Sequence, residues 1–280
     1  MPELPEVETT RRGLTPHLVG NRIEAAVVRN PQLRWPVADE ITRELPGQTV
    51  REIARRGKYL LFRTNGGTII VHLGMSGNLR VIPTTVAPEK HDHVDFVLKE
   101  NGCLRFRDPR RFGAILWTNA DPLTHPRLAN LGPEPLGNGP GDRPAGDEFS
   151  GGWLFKTARN RRLPVKCFLL DGKVVAGLGN IYVNEALFRA GILPSLPAGS
   201  ISRRRYDILA RTIQETLREA IDSGGTTLRD FFQSDGKPGY FRQRLLVYGR
   251  AGEPCPRCGR DIGQQRICQR SSFFCGWCQE

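Results

Sequence analysis

No apolar run in this chain approaches the roughly 18 residues that a membrane helix needs, and its first residues are acidic, without the apolar core of a signal peptide. Neither a spanning segment nor an export signal is expected. Acids are scarce as well: 29 Asp and Glu stand against 41 Lys and Arg, a formal charge of +12. Such a balance calls for a polyanionic partner, nucleic acid first. An anionic membrane surface is the competing partner, but no basic amphipathic helix stands out to meet one. Internal repeats are absent. Cysteine is present in an odd number, seven, of which four form two CxxC pairs near the C-terminus and Cys103, Cys167 and Cys268 are left over. With no export signal, that usage speaks for a reduced, cytoplasmic chain whose thiolates hold a metal.

What is there reads as two domains joined by a linker. After Pro5, a good first helical residue, Val7, Leu14 and Leu18 recur near a helical period up to Gly20, giving a short helix that anchors the terminus. From Thr49 the pattern turns to strands. RGKYLLFRT, the turn Asn65-Gly66-Gly67 and TIIVHLGMSG form a hairpin. Val94, Phe96 and Leu98 alternate before Asn101-Gly102, with Leu104 and Phe106 after it, and RFGAILW is one more strand. The fold class expected is α+β: a β-sandwich-like domain with a leading helix over 1–131, then a Gly/Pro-rich linker over 132–152 that is expected to be disordered. Beyond it the period is helical. Ser202 caps a helix whose stripe is Tyr206, Leu209, Ile213, Leu217 and Ile221, ended by Gly224-Gly225. Residues 153–235 form a helical domain and 236–280 the segment that ends in the cysteine pairs.

Three patterns carry chemistry. Pro2 follows Met1, and a small second residue allows the initiator methionine to be removed. The new terminus is then a secondary amine with a pKa of about 8 instead of the roughly 10.4 of lysine. Its free-base fraction near neutral pH suits it to attack a carbon centre and form a Schiff base, with the Glu3 carboxylate beside it to pass protons. Cys255-x2-Cys258 and Cys275-x2-Cys278, separated by sixteen residues, make two knuckles of a closed S4 site, which is structural zinc by type. GLGNIYVNE places Gly177 and Gly179 in a tight turn ahead of a helix opening at Asn180, an end that suits phosphate. A fourth constellation is subtler. Met75 stands at a Gly-flanked loop tip in GMSG, and Arg110 and Phe112 stand in DPRRFG. An apolar wedge with an arginine is what fills a duplex when one nucleotide is rotated out of it.

MPELPEVETTRRG, GLGNIYVNE, DPRRFG, LRDFFQSDGKPGYF and the CxxC pairs together resemble the formamidopyrimidine-DNA glycosylases over almost the whole chain outside the linker. The resemblance implies a helix–two-turn–helix in the second domain, a zinc-finger β-hairpin and base-excision repair of oxidised purines in double-stranded DNA. In that reading Pro2 and Glu3 are catalytic, and Lys58 and Arg270 belong with them as phosphate-binding residues. His72, Asn180 and Tyr240 also contact phosphates. Met75, Arg110 and Phe112 fill the void, with Arg110 facing the orphaned cytosine. Lys166 is linked to the lesion site, as is Glu185, and LRDFFQSDGKPGYF is a loop that caps the extruded base. One structural zinc ion, a monomer and no membrane partner complete the expectation. PELPEVE, DPRRFG and the long capping segment favour the purine enzyme over its endonuclease VIII-type sister class. A non-catalytic DNA-binding regulator would have no use for Pro2-Glu3 behind a removable Met1, and an RNA-binding zinc ribbon would have none for the wedge.

Overall fold

The computed structural model describes residues 2–100, 102–137, 148–224 and 245–280. The centre of the linker, the capping segment at 228–241 and Tyr240 within it lie outside the described residues. The chain divides into two compact units, the first built chiefly on Met1–Ala129 with Ile221–Arg242, the second chiefly on Asp142–Ala220 and Gln243–Glu280. No helix among the described residues is long and apolar enough to cross a membrane.

In the first unit α1 (Leu4–Leu18) opens with Pro5 in its first turn, where the missing N–H costs nothing. The Glu6 carboxylate reaches back to accept the Glu3 N–H at 2.8 Å, half of a capping box. Leu4, Val7, Leu14 and Leu18 are buried. Behind the helix stand two antiparallel sheets of four strands each. One contains β1 (Ile23–Val28), β5 (Asn78–Ile82), β6 (Asp92–Leu98) and β7 (Cys103–Arg107) in the order β1-β6-β7-β5. The other contains β2 (Val50–Arg56), β3 (Tyr59–Thr64), β4 (Thr68–His72) and β8 (Ala114–Thr118) in the order β2-β3-β4-β8. Val7, Leu14, Phe62, Val71, Val94, Phe96, Phe106 and Ile115 share one core, so both sheets and α1 close over the same apolar layer, with the short α2 (Glu40–Glu44) at its margin.

Two details depart from the sequence pattern. β1 is not legible in it: this is an edge strand, Glu24 and Val27 face solvent, and the alternation is weak. RGKYLLFRT is not one strand either. Arg56 pairs with Tyr59, leaving Gly57-Lys58 as a two-residue turn with Gly57 at φ +57°. Glycine is favoured where a tight hairpin turn requires positive φ.

The second unit holds α3 (Gly151–Ala158), α4 (Val165–Leu170), α5 (Asn180–Arg189) and α6 (Arg203–Asp222), then a hairpin of β9 (Gly263–Ile267) and β10 (Arg270–Phe274). Ser150 caps α3 by accepting the Trp153 N–H at 3.1 Å. Ser202 accepts the Arg205 N–H at the head of α6, and the expected stripe from Tyr206 to Ile221 is buried. The leftover cysteines behave differently from the expected reduced state: Cys167 and Cys268 are joined in a disulfide, while Cys103 is buried and free in β7. A separation of 101 residues gives the sequence no way to announce that pairing.

Several arginines of the first unit are engaged by its own carboxylates. Arg105 is buried and grips Asp95 with two nitrogens at 2.9 and 2.8 Å, and Arg29 joins the same carboxylate at 2.6 Å. Arg107 pairs with Glu89 and Asp92, and Arg55 pairs with Glu8 at 3.2 Å. Glu8 also receives Arg11 and Arg12 along α1. Burial pushes its carboxyl up, but the bond and charge of Arg11, the charge of Arg55 and the bond from Arg12 more than offset this and hold it at about 2. A depressed carboxyl contributes stability above its unfolded value near 4.5, and the contribution is lost as pH falls toward 2. Glu8→Gln should therefore unfold at lower urea at pH 7 and lose less stability than the parent between pH 4.5 and 2. Equal slopes over that window would show that these ion pairs carry no net weight.

Candidate nucleic-acid interface and metal centre

Pro2 and Glu3 lie buried at the head of α1. Lys58 occupies the β2–β3 turn and His72 ends β4, directly across the ladder from Tyr59, with ring centroids 4.8 Å apart. Burial holds the His72 imidazole down, and the nearby charges of Lys58 and Arg34 hold it further, to about 4. His72 is therefore neutral near pH 7. Its Nδ1 accepts the Gly74 N–H at 3.0 Å, so the ring proton sits on Nε2, where it can be donated.

Beyond His72 two loops meet. Gly74, at φ +64°, lies so close to the second loop that a Cβ there would stand 2.3 Å from the Phe112 carbonyl carbon and 2.4 Å from the Gly113 nitrogen. Asp108, fully buried after β7, fastens both: Ser76 Oγ donates to Oδ1 at 2.7 Å, the Arg110 N–H at 3.3 Å, and the Gly113 N–H to Oδ2 at 2.7 Å. His72, Met75, Arg110 and Phe112 line one cleft of about 710 Å³ together with Gln32, Leu33 and Arg34. Phe112 is 46% exposed, with the Arg110 guanidinium 5.4 Å above its ring centroid. An exposed aromatic, a half-buried methionine and an exposed arginine thus stand together on two loops that one buried carboxylate holds from beneath. Pro2, Glu3 and Lys58 are not part of this lining.

In the second unit Gly177, at φ +82°, turns the chain ahead of α5, and Asn180 is the first helical residue. Its side-chain amide donates to Ser271 O at 3.1 Å. Lys166 is fully buried, and its ammonium donates to Ser271 O at 2.8 Å and Ser272 Oγ at 2.6 Å. In this arrangement it is a strut for the hairpin and reaches no solvent, because the hairpin covers it. Asn184 accepts the Phe273 N–H at 2.8 Å. Glu185, also fully buried, accepts the N–H groups of Leu246, Val247 and Tyr248, each at 2.9 Å. Arg270 is exposed at the start of β10.

The four sulfurs of Cys255, Cys258, Cys275 and Cys278 lie within 4.8 Å of one another, with 3.9 Å between Cys255 and Cys278 and 3.5 Å between Cys258 and Cys275. Thiolates about 2.3 Å from a tetrahedral centre stand about 3.8 Å apart, so the cluster suits a metal ion. Its core is continuous with α5 through Phe188, Val247, Ile262 and Phe273.

Family models match two segments: the formamidopyrimidine-DNA glycosylase N-terminal domain over residues 1–115 and the H2TH domain of the same glycosylase over 131–232. The formamidopyrimidine-DNA glycosylase of Alkalilimnicola ehrlichii is 54% identical, with all of both chains covered. The chain belongs to the formamidopyrimidine-DNA glycosylase family.

Solved structures of the family agree with the architecture described above. A mutant Lactococcus lactis Fpg in complex with a Fapy-dG containing DNA superposes with a TM-score of 0.89 at 33% identity, covering all of both chains. MutM in complex with carbocyclic 8-oxo-G containing DNA gives 0.88 at 34%, again over all of both chains. The mixed α+β fold of these glycosylases, with N-terminal sheets, C-terminal helices and a cysteine-bearing hairpin, is the fold found here.

Sequence reasoning did not single out Asp108, Ser76 or Asn184. Their importance lies in which backbone groups they satisfy, and only the folded chain brings those together. Gly74 was at least visible as half of a Gly-flanked tip. Gly74→Ala combines an unfavourable φ with a Cβ inside the Phe112–Gly113 backbone, so it should lower stability by about 2–4 kcal/mol in urea unfolding. A loss below about 0.5 kcal/mol would show that the two loops are not in backbone contact.

Proposed function

We propose that this chain removes oxidised purines, 8-oxoguanine and formamidopyrimidines, from double-stranded DNA and then cleaves the abasic strand. The carrying observation is the Pro2-Glu3 pair buried at the capped head of α1, in a member of this glycosylase family. Relatives on DNA bearing Fapy-dG, carbocyclic 8-oxo-G and an abasic site support the substrate class.

The chemistry begins with loss of Met1, since an amide nitrogen cannot attack. The Pro2 amine attacks C1′ of the extruded nucleotide, and the C1′–N9 bond breaks as the base leaves with a proton. Glu3 protonates the ring oxygen as the sugar opens, giving a Schiff base between Pro2 and C1′. That cation acidifies C2′, so β-elimination expels the 3′ phosphate and δ-elimination the 5′ phosphate, with water finally releasing the amine. Lys58 and neutral His72, acting as an Nε2–H donor, hold flanking phosphates. Met75, Arg110 and Phe112 fill the stack, with Arg110 on the orphaned cytosine. The amino end of α5 with Asn180 attracts phosphate through its dipole, and Arg270 adds a further cation. Tyr240 is assigned with these contacts, and Lys166 supports the Arg270 hairpin. The enzyme is taken as a monomer acting on a cytoplasmic chromosome, in the domain order 1–131, 132–152, 153–235 and 236–280.

The metal is zinc, bound by Cys255, Cys258, Cys275 and Cys278. It folds the hairpin base and takes no part in bond breaking, because four thiolates leave no open position. A strong chelator should remove one zinc per chain and abolish DNA binding. Full binding by zinc-free protein would refute the structural role.

Borohydride trapping tests the nucleophile. A covalent adduct on a duplex with 8-oxoguanine opposite cytosine is expected from the processed chain. It should disappear when one extra residue blocks the terminus and weaken in Pro2→Gly, which keeps a primary amine. Trapping chiefly on a thymine-glycol duplex would instead place the chain with the endonuclease VIII type. Tight binding with no adduct on either would make it a binder.

A further inference from the structure

The hairpin that presents Arg270 is fastened at three levels, and the outermost is covalent. At the base lies the four-cysteine cluster. In the middle, Lys166, Asn180 and Asn184 hold Ser271, Ser272 and Phe273. At the tip, Ile267 pairs with Arg270, so Cys268-Gln269 is the whole of a two-residue turn. Both turn residues adopt positive φ, +53° and +57°, the region in which Asn and Gly are favoured. A cysteine is a poor choice for that backbone unless its sulfur is used. Cys268 spans to Cys167 on α4 with Cα atoms 5.8 Å apart, an ordinary disulfide separation. Cys167 follows Lys166 directly, so one short helix supplies two successive fastenings of the same hairpin. Both cysteines are half-buried, within reach of a small oxidant or reductant.

We propose that Cys167 and Cys268 form a reversible redox pair that positions the Arg270 turn, tightening the hold of the oxidised chain on damaged DNA. Hydrogen peroxide supplies the oxidant. One thiolate attacks an oxygen of peroxide, giving a sulfenic acid and releasing one water after proton transfer. The second sulfur then displaces that oxygen as a second water, so two thiols and one peroxide give one disulfide and two waters. A dithiol reductant returns both hydrogens. The DNA effect rests on the reading above that Arg270 contacts phosphate. Given that reading, the oxidant that generates the lesion also stiffens the enzyme that removes it. Cys167 and Cys268 are positioning residues: neither touches the reacting atoms.

The test uses the full, zinc-loaded chain, reduced with dithiothreitol or treated with one equivalent of peroxide. Alkylation in denaturant with chelator should count seven thiols in the reduced form and five in the oxidised form, with a cross-linked peptide joining Cys167 to Cys268. Affinity for a duplex bearing a tetrahydrofuran abasic analogue should rise roughly 3- to 10-fold on oxidation, the scale of ordering one long side chain in advance. Zinc loss to a chromophoric chelator should slow at the same time. Cys167→Ser and Cys268→Gly should both behave like reduced parent in either condition, and the glycine relieves the turn, so a misfolded hairpin would not explain its response. Seven thiols after peroxide, a bond to Cys103, or identical affinity and zinc loss in the two forms would each overturn the proposal. If the chain binds no damaged duplex in either state, the functional reading falls, and the thiol count and zinc release still judge the redox pair separately.

Discussion

A buried carboxylate that satisfies the backbone of an irregular segment is the interaction on which both units depend. Asp108 takes the Ser76 hydroxyl and the N–H groups of Arg110 and Gly113, while Glu185 takes three successive N–H groups from Leu246 to Tyr248. A hydrogen bond contributes about 0.5–1.5 kcal/mol net, and a buried donor left without its acceptor costs about 1–3 kcal/mol. Removing either carboxylate would strand several donors at once. Loops carry functional side chains because they lie on the surface, and for the same reason they are free to wander. Here Arg110 and Phe112 are exposed and Met75 is half-buried, but the peptide groups beneath them are tied to one buried carboxylate. The geometry of the two loops is thus set by a buried residue beneath them.

Charge obeys a similar division. The excess of cations indicates a polyanionic partner, but it does not locate the contact, since Arg29, Arg55, Arg105 and Arg107 are engaged by carboxylates of the same unit. What remains shapes its neighbours as well as the field outside. With Lys58 and Arg34 nearby, a charged His72 would face like charges in a buried site, and the ring stays neutral. That neutrality, with Nδ1 already accepting from Gly74, leaves a single directed donor. A diffuse cation would attract any phosphate, whereas a directed donor selects one position.

What the sequence reveals follows from how local each signal is. The CxxC spacing, the alternation around Asn101-Gly102 and the stripe from Tyr206 to Ile221 are short-range patterns, and each appears in the structure at the expected place. Pro2 is legible as a candidate nucleophile from amine chemistry alone, while Lys58, Asn180 and Arg270 are picked out from other polar residues only by family resemblance. β1 is hidden because an edge strand needs no clean alternation. Asp108 and Asn184, and the backbone bonds of Glu185 (named only by the resemblance), are hidden for a deeper reason: a carboxylate or amide looks the same in sequence whether it faces water or three N–H groups. The Cys167–Cys268 bond belongs with them, since nothing within a hundred residues hints at it.

The finger shows why such long-range fastenings accumulate in one place. A two-stranded hairpin is marginal in water by itself, and the outward side of β9 buries little. Its apolar support is a handful of residues, Val247, Ile262 and Phe273, and it borrows Phe188 from α5. A metal held by the four cysteines would cross-link the base of the hairpin, where Cys255 and Cys275 are already buried in that apolar cluster. Such a link would not set where the far end points, since the tip lies beyond the cluster at the other end of the β9–β10 ladder. Direction comes from side chains of α4 and α5 that grip the strand nearest Arg270. Base and aim are therefore held by different groups, and a change that spares the four cysteines can still move the arginine.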